Sequence, residues 1–121
     1  DHVQGAEIFQ RRWGAEILAN FTTCAKMGLD PVNQCRIFES LERVDVTTEI
    51  SILPVPVPHD GAENVGFIIS SGGNERAAIV TDLGEITDEI RKHLQGCAHI
   101  SIEANYDEEI SIRPLPIKSQ K

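Results

Sequence analysis

Residues 55–85 read VPVPHDGAENVGFIISSGGNERAAIVTDLGE. Two polar residues in this stretch, His59 and Asp82, each follow an apolar run. His59 comes after Glu49–Val57, with its Ile50, Ile52, Val55 and Val57, and Asp82 comes after the β-prone Ala77–Val80. Between them, Val65–Ser71 reads as a strand. A Ser-Gly-Gly-Asn turn and Arg76–Thr81 follow, which is a hairpin pattern. Side chains at strand ends can meet at one sheet edge although they are distant in sequence. An imidazole and a carboxylate there, with Gly61, Gly66 and Gly84 letting the backbone turn, are a credible metal-site geometry. Both residues also have plainer readings. His59 can be a loop histidine closing a turn, and Asp82 can cap a turn or the helix beyond it. An Asp at a carboxyl strand end of an α/β sheet also stands where ligands bind.

The whole chain sets bounds on this reading. Its 121 residues suffice for one domain with a real core and not for two. Hydrophobic residues at 40% and charged residues at 25% are an ordinary globular balance. No apolar run approaches the roughly 20 residues of a membrane helix. The opening DHVQGAEIFQRRW has neither the basic nor the apolar region of a signal peptide. The first residue is Asp, so the chain is expected to be processed, trimmed or a fragment. Cys24, Cys35 and Cys97 are odd in number and lack C-x-x-C spacing. They read as reduced thiols of a cytoplasmic protein. A formal charge of −8 argues against broad electrostatic adhesion to nucleic acid. Nucleic acid reached through bound cations stays open, because metal ions reverse the local charge logic.

Taken in order, Val3–Trp13 is a helix candidate stopped by Gly14, and Ala15–Ala19 is a short strand. Asn20 or Thr22 can cap a second helix running to about Met27, which Gly28 ends. Cys35–Leu41 is weakly β, and Glu42–Thr48 is turn-like although Val44 and Val46 alternate. Glu49–Pro58 alternates well at first. Pro54, Pro56 and Pro58 then remove backbone donors, so its second half is expected at an edge or outside the sheet. Thr87–Gln95 is the clearest helix, with Thr87 as N-cap, Gly96 as C′ residue, and Ile86, Ile90 and Leu94 on one face. Ala98–Ala104 follows as a strand. The stretch 77–104 then reads as a βαβ unit with parallel strands.

The remaining polar residues weigh less. His93 on the helix and His99 at a strand start read as structural or exposed. Glu103, Asn105 and Asp107 end the last clear strand, as a solvated strand end or as an outer shell that orients ligands. Gly72-Gly73 is a hairpin turn, because no helix and no Lys-Ser/Thr follows it as a phosphate loop requires.

Three blocks carry a resemblance: V-P-H-D-G-A-E-N-V-G-F, A-I-V-T-D-L-G-E-I-T and I-E-A-N-Y-D. In this order and spacing they resemble the metallo-β-lactamase superfamily, in its branch of small hydrolases and exonuclease-like phosphodiesterases. The resemblance covers nearly the whole chain. It implies an α/β fold, part of a four-layer αββα sandwich, with residues 1–121 as the central portion of a single domain. The family signature is His-x-His-x-Asp-His and a helix, then a later His, a metal-bridging Asp and a final His. Asp1-His2 resemble the end of that signature, His59 the later His and Asp82 the bridging Asp. L-A-N-F-T-T at 18–23 resembles the strand-to-helix junction after the signature helix. The first His-x-His pair, the first core strands and the final His have no counterpart in the chain, and Tyr106 stands where the branch has His.

The resemblance implies metal ligands Asp1, His2, His59 and Asp82, with Asp1 also catalytic by orienting a water. It implies two divalent cations, zinc or manganese. The expected function is hydrolysis of phosphodiesters, in nucleic acid or a small molecule, by a metal-activated water. The isolated segment is expected to be inactive, because half the usual ligands are missing. The alternative is a non-catalytic α/β binding or assembly module whose exposed sheet face makes a homo-oligomer.

Overall fold

The computed structural model describes residues 3–58 and 63–104. The hairpin read from alternation lies at the centre of a sheet. In chain order the elements are α1 (Ala6–Trp13), β1 (Ile17–Ala19), α2 (Phe21–Lys26), β2 (Cys35–Ile37), β3 (Val44–Asp45), β4 (Ile50–Val57), β5 (Asn64–Ser71), β6 (Arg76–Leu83), α3 (Asp88–Leu94) and β7 (His99–Ala104). Strands β3 to β7 form a five-stranded sheet in sequence order. The pairs from β3 to β6 are antiparallel, and β6 and β7 are parallel. A parallel pair needs a crossover, and α3 supplies it, as the expected βαβ unit requires. Thr87 Oγ1 accepts from Ile90 N at 3.2 Å at the start of α3. Gly96, at φ 78°, takes the left-handed turn after its end. Strands β1 and β2 form a separate parallel pair, with α2 between them in sequence.

The prolines of β4 show how one strand can carry them. β4 pairs with β5 along its whole length, Pro54 opposite Phe67 and Pro56 opposite Val65. The strand stays within the sheet, so of the two expected outcomes the edge is the correct one. Ile50 and Pro54 direct their carbonyls away from β5, where Val46 N and Leu41 N donate to them at 2.9 and 2.8 Å. Amides of alternate residues point the same way, so the missing donors of Pro54 and Pro56 fall on that outer side. β3 lies along this edge only at Ser51 and Ile52, so no ladder bond is lost. The pair Val44–Asp45 makes β3 a strand inside the stretch expected to be a turn.

One face of the sheet carries the core. Val55, Val57, Ile68, Ala78, Val80 and Leu83 are buried there, and Ile90 of α3 covers them. Ile86, expected on the same helix face, is 46% exposed, because it precedes the helix. On the opposite face, Phe38 packs edge-on against Phe67 at 5.7 Å between ring centroids, which joins the small sheet to the large one. A second cluster, Ile17, Ala19, Cys24 and Leu29, fills the space between β1 and α2. Helix α1 begins at Ala6, three residues after Val3, and ends at Gly14 with φ 65°. None of its residues is buried among the described residues, and Phe9 and Trp13 stack on each other at 4.8 Å.

Gly66 corrects an expectation. It lies inside β5 and makes no turn. A Cβ there would stand 3.0 Å from Val80 Cγ2 and 3.2 Å from the Ile79 carbonyl oxygen. Its lack of a side chain lets β5 and β6 approach closely beside Val55. Gly66→Ala is expected to destabilise the fold by about 1–3 kcal/mol through overpacking, read as a lower urea midpoint at unchanged m-value.

Cys24 and Cys35 bring their sulfurs to 2.7 Å across α2 and β2. Burial, and then the neighbouring Cys24 thiol, push the Cys35 thiol up to about 11. The folded state therefore holds this proton more tightly than the unfolded chain does. That stability is present in full below the unfolded thiol value and is lost as pH rises through about 11. Denaturation midpoints should fall more steeply between about pH 9 and 11 in the native protein than in Cys35→Ala.

Candidate functional site

The candidate site is built on an irregularity in β6. Its register with β7 pairs Val80 with Ile102 and then Leu83 with Ala104. Two residues of β6, Thr81 and Asp82, thus oppose Glu103 alone, which is a β-bulge. Strict alternation from Val80 would turn Asp82 toward Ile90 and the core, where a carboxylate is costly. The extra residue returns Leu83 to that core instead, at 2% exposure. Asp82 has φ 53°, a left-handed backbone that short polar Asp tolerates better than most residues do. It is half-buried, and with Thr81 it lines a groove of about 610 Å³.

The groove gathers segments that are distant in sequence. The β1–α2 junction contributes Asn20, Thr22 and Thr23, and Lys26 adds a cation from the end of α2. Val3 and Ala6 reach it from the start of the chain. Glu63, Asn64 and Val65 line it from the start of β5, and Phe38 and Phe67 supply apolar wall. Asn20 is buried at 8% exposure and caps α2, its Oδ1 accepting from Thr23 N at 2.7 Å. Its Nδ2 donates to the Glu63 carbonyl at 2.9 Å. Thr22 Oγ1 donates to Glu63 Oε2 at 3.0 Å.

Of the four proposed ligands, Asp82 is described, and Asp1, His2 and His59 lie outside the described residues, as do Asn105, Tyr106 and Asp107. Val3, which follows His2, borders the groove, as does Glu63, four positions after His59; Pro58, which precedes His59, does not line it. Among the described residues no three His, Cys, Asp or Glu side chains gather as a metal cluster. The chemistry of the full proposed set, two imidazoles and two carboxylates, suits zinc or manganese. His99 is exposed and His93 half-buried in α3, and neither lines the groove. Glu103 is exposed opposite the bulge.

The sequence offered Asn20 or Thr22 as the cap of α2; Asn20 is the cap, and its tie to Glu63, which spans 43 positions, was missed. The one local signal was an Asn between an apolar strand and Thr22-Thr23. A cap uses only the oxygen of that amide and leaves its donor to be accounted for.

Asp82 can be tested apart from any ligand. Asn also tolerates the left-handed backbone, so Asp82→Asn should lie closer to the native urea midpoint than Asp82→Val. The β-branched Asp82→Val should lose about 1–2 kcal/mol from the φ 53° position. Equal midpoints for the two variants would argue against the bulge geometry.

A family model described as the beta-lactamase superfamily domain matches residues 1–115. Exodeoxyribonuclease YycJ of Bacillus anthracis is 29% identical over 114 residues, which are 91% of this chain. The chain spans 42% of the length of that relative. Zn²⁺-bound PqqB of Methylobacterium extorquens shares the fold, with a TM-score of 0.63 at 17% identity. The superposition takes in 81% of this chain and 37% of PqqB.

Proposed function

Because the chain belongs to the beta-lactamase superfamily domain family, we propose that it is the central portion of a single metal-dependent hydrolase domain that cleaves phosphodiester bonds. The observation that carries the reading is the convergence on one groove. Asp82 is turned into it by the bulge, and Val3, which follows Asp1-His2, and Glu63, four positions after His59, border it. Asp1, His2, His59 and Asp82 are the proposed ligands. Bound there, two divalent cations would supply Lewis-acid charge and an acidified water.

The chain's own residues have separate tasks in this reading. Asp82 holds a carboxylate at the groove wall on a backbone that the bulge fixes, with little freedom to reorganise. Asp1 orients the attacking water. Phe38 and Phe67 exclude water from the apolar side of the groove. Lys26 offers one positive charge to a phosphodiester oxygen. A nucleic-acid substrate is supported by the exodeoxyribonuclease name of the Bacillus anthracis relative. With a formal charge of −8, the chain would engage such a substrate through bound cations and Lys26 rather than through a basic face. Three free thiols fit a cytoplasmic location.

The test uses the full-length natural protein that carries this sequence. Titration with Zn²⁺ and with Mn²⁺ should saturate at about two cations per chain. Asp82→Asn should lower hydrolysis of bis(p-nitrophenyl) phosphate and of single-stranded DNA by more than about 100-fold, since even outer partners of metal ligands cost 10–100-fold. Full turnover in that variant would sink the reading. A wild-type protein that takes up no metal and forms a stable oligomer would support a non-catalytic assembly module instead.

A further inference from the structure

Asn20 sits at the groove but carries no charge and is not among the proposed ligands. Its amide is nevertheless engaged at both ends. Oδ1 must face Thr23 N, which only donates, and Nδ2 must face the Glu63 carbonyl, which only accepts. The amide orientation is therefore forced by its partners. Thr22 adds a second tie to the same residue through Glu63 Oε2 at 3.0 Å. Both ties end on Glu63, the residue before β5, at the groove wall that faces the β1–α2 junction.

We infer that Asn20 is a positioning residue: its side-chain amide, assisted by Thr22, anchors the start of β5 to the β1–α2 junction and so fixes the groove in which Asp82 stands. The inference rests on the proposed hydrolase reading and deepens it. A buried amide bridging 43 positions does more than cap a six-residue helix. Asp or Ser would serve the cap alone as well as Asn does. The second half of the amide, the NH₂, is needed only for Glu63. Groups that align ligands without touching the metal change its affinity by about 10–100-fold when removed.

The two halves of the amide can be separated by substitution. Asn20→Asp keeps an oxygen for Thr23 N and places a second oxygen against the Glu63 carbonyl, so the cap survives and the tie becomes a repulsion. Asn20→Ser keeps the cap and is too short to reach Glu63. Thr22→Val removes the second tie without touching the cap. All three are made in the full-length natural protein. The readouts are helix content by circular dichroism, hydrogen exchange of amides 63–67 in metal-free protein, and Zn²⁺ affinity by chelator competition.

Expected for Asn20→Asp and Asn20→Ser are native helix content, exchange at 63–67 faster by about 10-fold or more, and Zn²⁺ affinity lower by about 10–100-fold. Thr22→Val should shift both readouts in the same direction by less. Unchanged exchange at 63–67 in both Asn20 variants overturns the tie, whatever the metal does. Faster exchange with unchanged Zn²⁺ affinity overturns the positioning role and leaves the hydrolase reading standing. Absence of uptake of both Zn²⁺ and Mn²⁺ by the wild-type protein sinks the hydrolase reading itself, and the positioning role falls with it.

Discussion

One extra residue in β6 decides where the chemistry of this chain can lie. Alternation along the strand sends Ala78 and Val80 to the core beneath Ile90. The same alternation would send Asp82 there too. A buried unpaired carboxylate costs several kcal/mol, so the strand either loses the acid or breaks its period. It breaks its period: the bulge restores Leu83 to the core and leaves Thr81 and Asp82 together at the groove. The left-handed backbone at Asp82 is part of the same solution. Bulges commonly stand beside functional sites because they re-aim a side chain at the cost of a local break in the ladder.

The groove also depends on how the two sheets are joined. Among the described residues the joints are few and specific. Leu41 N donates to the Pro54 carbonyl, Phe38 packs edge-on against Phe67, Arg36 Nη2 donates to the Asp45 carbonyl, and Asn20 reaches Glu63. The prolines of β4 belong to this arrangement. They end the sheet on one side of the strand, and the carbonyl of Pro54 is then free for the incoming loop. A strand with donors at positions 54 and 56 would present an open edge there, which invites pairing with another chain. Residues that read as a disruption in the sequence thus serve as an edge treatment and a docking point in the fold.

The charge of the chain and the proposed chemistry are consistent only through metal ions. With 19 acidic and 11 basic residues, the chain repels a phosphodiester backbone on average. Among the described residues Lys26 is the one Lys or Arg at the groove, and it cannot offset that by itself. Divalent charge held by carboxylate and imidazole donors would invert the local field at the groove proposed for the substrate.

By itself the sequence determined most of the elements and their types, with β3 the exception. Apolar alternation marks β4 to β6, Thr87 and Gly96 mark the ends of α3, and a strand, helix and strand in succession require a parallel β6–β7 pair. It also marked Asp82 as a polar residue at a strand end, because an acid after an apolar run is a local signal. It left open whether the second half of β4 lay at an edge or outside the sheet, and it cast Gly66 as a turn residue. Those choices turn on which strand lies on which side, a matter of pairing that no local window contains. Only the tertiary structure decided that Asp82 leaves the core face, since a bulge is visible only against the register of the neighbouring strand. Only it revealed the second half of the Asn20 amide at work. Capping is a contact over three positions and is legible in a sequence, whereas the tie to Glu63 crosses 43 positions and exists only once the chain has folded.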